Sequence, residues 1–203
     1  MTCIVAIAEG GRVYMAGDSA SSDGHTYSLT RAPKVFALGP FLIGYTTSFR
    51  MGQLLQYHLQ VPPHPEGLSN YEYMVTRFLE ACRKAFKDRG WMKSEHGVEE
   101  LGNFLVGYRG ELFQLQGDGA VLQNRDGFDA VGSGEDYARA VLAVSDHPDP
   151  RTRLILALET AARYVTTVRM PYEVLEGATE ADVTLVVKKV PRGKTRTQEV
   201  SSA

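Results

Sequence analysis

The sequence predicts an α+β domain, and three observations carry that prediction. Stretches rich in Val, Ile, Thr and aromatic residues, ended by glycine-containing turns, cluster at residues 2–46 and again at 103–131. Stretches with helical apolar spacing fall together at 48–86 and 135–164. Strands and helices therefore segregate along the chain, where a parallel βαβ fold would alternate them. The length, 203 residues, suits one core. A single domain is expected over residues 2–190, with a mobile polar tail at 191–203.

The elements follow in order. Thr2–Ala8 and Arg12–Ala16 flank Gly10-Gly11 and read as a β-hairpin. Ser19–Arg31 is made largely of Ser, Thr, Gly, Asp and His and reads as a polar loop. Lys34–Leu38 and Phe41–Thr46 form a second strand pair around Gly39-Pro40. Met51, Leu54, Leu55 and His58 give Ser48–Leu59 a helical spacing, which Pro62, Pro63 and Pro65 interrupt. Ser69 and Glu72 have the spacing of a capping box. Behind them Tyr71, Val75, Phe78, Leu79, Cys82 and Phe86 mark one face of a long helix. Gly90–Gly102 reads as irregular. Asn103–Tyr108 and Glu111–Gln116 form a hairpin through Arg109-Gly110, and Gly127–Val131 is a short strand. Glu135–Val144 is a helix. Asp149 at the N-cap and Pro150 at N1 open another, running to about Tyr164. Asp182–Val190 is the final strand.

Composition excludes several classes. The 22 Lys+Arg against 24 Asp+Glu lack the basic excess of a dedicated nucleic-acid binder. Two cysteines, Cys3 and Cys82, exclude a disulfide scaffold and a CxxC zinc site. No apolar run is long enough to cross a membrane. No basic residue precedes Arg12, so neither a secretory signal nor export is expected, and a cytoplasmic location is. The five histidines have no paired metal-ligand spacing, and Gly132-Ser133-Gly134 lacks the third glycine of a dinucleotide fingerprint. No metal or cofactor is expected.

The chemistry concentrates at the amino terminus, in Thr2, Asp18 and Lys34. Removal of Met1 would leave Thr2 with a free α-amine beside its own hydroxyl. A threonine hydroxyl is a weak nucleophile and needs an adjacent base. An α-amine, with an ordinary pKa of about 7.7–8.0, suits that task near neutral pH. A lysine cation beside it favours the neutral amine and stabilises negative charge on oxygen, and a carboxylate holds the lysine in place.

Thr2-Cys3-Ile4-Val5, Ala16-Gly17-Asp18-Ser19 and Lys34-Val35 resemble the opening of proteasome β subunits and the bacterial proteasome-like proteases, which are N-terminal-nucleophile hydrolases. Thr2, Asp18 and Lys34 are spaced 16 residues apart at each step, as in that family. Gly39–Gly44 and Val131–Gly134 followed by Tyr137-Ala138 extend the resemblance over about residues 2–190. It implies a four-layer αββα sandwich with two antiparallel sheets between helical layers. It implies Thr2 as nucleophile, Asp18 and Lys34 as its electrostatic partners, and Ser133 as a hydrogen-bonding serine near the terminal amine. It places Ser22 where an extended peptide substrate pairs with the main chain, and Ser48 where a backbone N–H forms the oxyanion hole. Arg50 falls at the specificity pocket, where it would favour an acidic side chain; a surface helix arginine is the other reading.

The resemblance implies a threonine endopeptidase acting on polypeptide as a homo-oligomeric ring or other closed assembly, and an ATP-dependent unfoldase is a candidate partner. Two departures stand out. Thr46-Thr47-Ser48-Phe49-Arg50 replaces the family's small-residue stretch, and Ala161–Pro171 holds Thr166 and Thr167 but no aspartate. They motivate a second reading, a proteasome-like scaffold with slow or no turnover. A small-molecule amidase or acylase on the same fold is a third.

Overall fold

The computed structural model describes residues 2–23, 25–95, 98–177 and 183–187. The chain opens with β1 (Cys3–Glu9), β2 (Arg12–Gly17), β3 (Ala20–Ser22), β4 (Tyr27–Leu29), β5 (Val35–Leu38) and β6 (Phe41–Tyr45). Helix α1 (Phe49–His58) follows. Next come α2 (Asn70–Tyr73), a π-helical stretch (Met74–Phe78) and α3 (Leu79–Asp88). The middle of the chain holds β7 (Lys93–Glu95), β8 (Val98–Glu100), β9 (Phe104–Tyr108), β10 (Glu111–Leu115), β11 (Val121–Leu122) and β12 (Phe128–Gly132). Helices α4 (Glu135–Val144) and α5 (Pro150–Tyr164) precede β13 (Glu173–Gly177) and β14 (Val183–Val187).

Two five-stranded antiparallel sheets dominate, in the orders β12-β1-β2-β13-β14 and β11-β10-β9-β6-β5. The alternation of side chains along β1 explains how they pack. Cys3, Val5 and Ile7 join a cluster with Leu142, Leu154 and Leu158 of α4 and α5. Ile4 and Ala6 point the other way, into a cluster with Val35, Leu42 and Leu105 of the second sheet. On the far face of that sheet, Phe41, Tyr45 and Phe104 pack with Met51, Leu54 and Phe78. Burying each such Leu, Ile or Phe stabilises the fold by about 1.5–3 kcal/mol. Because both faces of β1 are buried, its position admits little slippage.

The expected hairpins form. Gly10 and Gly11 both take positive φ, 60° and 72°, as a two-residue turn matched to strand twist requires. The capping box also forms, with Ser69 Oγ accepting from Glu72 N–H and Glu72 returning to Ser69 N–H. Asp149 caps α5 by accepting from the N–H groups of Arg151 and Thr152.

Elsewhere the structure differs from the sequence reading. The polar loop of Ser19–Arg31 contains the β3–β4 hairpin, whose outer residues Tyr27, Ser28 and Leu29 are all exposed and so show no alternation. Gly90–Gly102 contains β7 and β8. The long helix is interrupted where Leu79 N–H donates to Met74 O, an i→i+5 bond. Strands β11 and β13 were not expected from sequence: β11 spans two residues, and β13 carries glutamates on alternate faces. Glu176 on one of those faces pairs with Arg151 of α5 and with Arg12. The expected last strand, Asp182–Val190, is described only as Val183–Val187, and the tail at 191–203 lies outside the described residues. Among the described residues no helix is long and apolar enough to cross a membrane.

Candidate active site

Asp18 follows the last residue of β2 and Lys34 precedes β5, so the two side chains come from opposite sheets. Lys34 Nζ donates to Asp18 Oδ1 at 2.9 Å, and both side chains are almost completely buried. Asp18 is further held by Cys3 N–H on Oδ1 at 3.0 Å and by the N–H groups of Ala20 (3.0 Å) and Arg169 (3.4 Å) on Oδ2. A buried charge pair is tolerated when its remaining polar capacity is satisfied in this way. Burial pulls the Lys34 ammonium below the ordinary lysine pKa, and the charge and hydrogen bond of Asp18 oppose that fall.

Thr2 is buried at the start of β1, immediately before the residue whose N–H binds Asp18. Its carbonyl accepts from Ser133 Oγ at 3.2 Å. Gly132 makes that approach possible: it sits at φ 104°, and a Cβ there would lie 2.2 Å from Thr2 O. Ser133 Oγ also lies 3.1 Å from Thr167 Oγ1, which is buried. In the sequence Thr167 is only a threonine in a segment that lacks an aspartate. The structure brings its hydroxyl into the chain that ends on Thr2.

The other expected residues are arranged differently. Ser48 caps α1, with its Oγ accepting from Arg50 N–H. Its own backbone N–H donates to Thr46 O, closing a tight turn around Thr47 at φ 56°. Positive φ is costly for a β-branched residue. The turn is tied down by Thr46 Oγ1 donating to Asn103 O and Asn103 N–H donating to Thr47 Oγ1. Arg50 is exposed. Phe49 lies over Lys34, with the ammonium 5.9 Å from its ring centre. Ser22 sits on the β3–β4 hairpin and donates to Thr26 O.

Thr2, Lys34, Tyr45, Thr46, Thr47, Ser48 and Phe49 line one small cavity of about 30 Å³, with room for water. Larger grooves lie elsewhere, one of about 760 Å³ beside Tyr71 and Arg139. None of them combines a nucleophile with a buried charge pair, so the small cavity is the better candidate site. Cys3 is no competitor: burial pushes its thiol pKa up, which keeps it protonated.

No protein-family model matches the sequence. Solved structures do match in fold. BPH from Thiobacillus denitrificans superposes with a TM-score of 0.73 at 19% identity, covering 89% of this chain and 100% of that one. It has also been solved in complex with epoxomicin. HslV from Trypanosoma brucei gives 0.60 at 19% identity, over 86% and 98% of the two chains. Anbu from Pseudomonas aeruginosa, solved as a helical assembly, gives 0.65 at 18% identity, over 94% and 87%. The chain shares the fold of these proteins.

Proposed function

We propose that the chain is a threonine-type N-terminal-nucleophile hydrolase that cleaves amide bonds in polypeptides and acts as a homo-oligomer on a four-layer αββα sandwich. The observation that carries this reading is the convergence of Thr2 with the buried Asp18–Lys34 pair. Lys34 borders the same cavity as Thr2, and Asp18 binds both Lys34 and the N–H next to Thr2. Three apolar clusters, one between the sheets and one on each outer face, support the layered arrangement. The epoxomicin complex of one neighbour and the helical assembly of another support the hydrolase and oligomer parts. A cytoplasmic location rests on the character of the amino-terminal residues alone, and an ATP-dependent unfolding partner on the sequence resemblance alone.

In this mechanism Thr2 Oγ attacks the scissile carbonyl while the Thr2 α-amine takes its proton, through a water where needed. The Lys34 ammonium favours the neutral amine and stabilises the developing negative charge. The tetrahedral species collapses to an ester on Thr2, and the α-ammonium returns its proton to the leaving amine. Water then hydrolyses the ester, with the amine again as base. Ser48 N–H would bind the oxyanion once its bond to Thr46 O opens. Ser22 would pair with the peptide main chain, and Arg50 would meet substrate at the rim.

The closed Ser48 turn and the small cavity beside Thr2 favour a second reading, a scaffold with slow or no turnover. Peptide hydrolysis by the wild type and by Thr2→Ala separates the two. The hydrolase reading expects activity only in the wild type, with Met1 removed. Full activity in protein that retains Met1 overturns it.

A further inference from the structure

We infer that Arg169 is a positioning residue for this site, holding the turn after α5 that supports Thr2 from both sides. The inference rests on the hydrolase reading above. The two N–H groups of Arg169 Nη1 are shared among three carbonyls, Val168 O at 2.7 Å, Val165 O at 3.2 Å and Ala162 O at 3.3 Å. These belong to the last turn of α5 and the residues just beyond it, where unpaired carbonyls and the helix dipole favour a cation. The guanidinium also lies 5.3 Å from the ring centre of Tyr27 on β4. The side chain thus ties the end of α5 to the β3–β4 hairpin.

The main chain of the same turn reaches the catalytic residues. Arg169 N–H donates to Asp18 Oδ2, and Arg169 O accepts from Ser19 N–H at 3.0 Å. Two residues earlier, Thr167 reaches Ser133. A serine hydroxyl carries one proton. Ser133 directs it to Thr2 O, so Thr167 is the donor between the two hydroxyls. One turn therefore steadies the carboxylate that holds Lys34 and the hydroxyl chain that holds Thr2. An ordinary helix cap would need only the three carbonyl bonds.

The test compares Arg169→Met, Arg169→Lys and Thr167→Val for peptide hydrolysis and thermal unfolding. A misplaced nucleophile costs about 10–100-fold in rate. Arg169→Met is expected to lose about that much in kcat, with KM within about twofold. The three carbonyls share the two N–H groups of one nitrogen, and a lysine ammonium, with three donors, can replace them. Arg169→Lys should therefore return kcat to within a few-fold of wild type. Arg169→Met and Thr167→Val should be non-additive, because they act through one turn. Wild-type kcat in Arg169→Met with only a lowered Tm overturns the inference, as do losses that multiply in the double variant. If Arg169→Met fails to fold, Tyr27→Leu removes the second hold at an exposed position. A few-fold loss of kcat there supports the inference, and an unchanged kcat overturns it. Thr2→Ala separates the two levels of the argument. Wild-type activity in Thr2→Ala overturns the hydrolase reading and this inference with it. An inactive Thr2→Ala beside an unimpaired Arg169→Met overturns only the positioning role.

Discussion

The two sides of Thr2 are built on different principles. On one side Asp18 and Lys34 form a charged pair held between two sheets, with almost no solvent contact. On the other, Ser133 and Thr167 form a neutral hydroxyl chain contributed by two turns. Strand register fixes the first side, because β1 and β2 pair residue by residue and both faces of β1 are buried. The second side depends on how closely two turns approach Thr2, and Gly132 and Arg169 govern that approach. The contrast teaches where charge can be kept: a buried ion pair needs the rigid part of the molecule, whereas hydroxyl support can come from turns.

The largest expected effect breaks the charged side. Lys34→Ala leaves the Asp18 carboxylate buried and unpaired, which should cost about 3–5 kcal/mol of stability and abolish hydrolysis. Replacing both by apolar residues, as in Asp18→Leu with Lys34→Met, should restore much of the stability without activity. Urea denaturation and a peptide assay check both. Equal losses in the single and double variants would contradict a charge-pair account.

Next comes the neutral side. Gly132→Ala places a Cβ against Thr2 O in a backbone conformation that favours glycine. It should destabilise the protein by about 1–3 kcal/mol and displace the nucleophile. Thermal unfolding and labelling of Thr2 by an electrophilic peptide measure the two effects. Undiminished labelling would mean that the Gly132 approach does not position Thr2.

The turn at Thr47 should respond in the opposite direction. Thr47→Val keeps the positive-φ strain and removes the hydroxyl that accepts from Asn103 N–H, which loosens the turn that occupies Ser48 N–H, so acylation should speed up by several-fold to about tenfold. That corresponds to about 1.4 kcal/mol at most. An unchanged rate would mean that the turn does not limit access to the oxyanion position.

The smallest effect is a pH dependence. Burial lowers the folded-state pKa of Lys34 below 10.5. Between that value and 10.5 the unfolded chain binds more protons than the folded one, so the stability contribution of Lys34 rises with pH across this window and is lost as pH falls through it. Activity should move the other way, because the ammonium is discharged in the same window. A pH–rate profile and a pH–stability profile, compared with those of Lys34→Met, test the opposed slopes.

Much of the charged side was legible in the sequence. Thr2, Asp18 and Lys34 lie at a regular spacing, each beside an apolar strand run that fixes its place. The neutral side was only half legible. Gly132-Ser133-Gly134 marked a close turn, but Thr167 and Arg169 sit in a short segment without periodicity, where residue type alone suggests no partner. The β3–β4 hairpin was hidden because its second strand is exposed on both faces. In β13, Glu173 and Glu176 read as polar, although Val174 and Leu175 are buried on opposite faces of the sheet. The π-helical stretch kept Phe78, Cys82 and Phe86 buried, so the apolar pattern gave no sign of the altered hydrogen bonding.

The central claim is that Thr2 is the nucleophile. Its most direct test is intact-mass and peptide-mapping mass spectrometry after reaction with an electrophilic peptide. The expected result is a chain lacking Met1 with one adduct on Thr2, and none in Thr2→Ala. An adduct on another residue, or full peptide hydrolysis by protein that retains Met1, would contradict it.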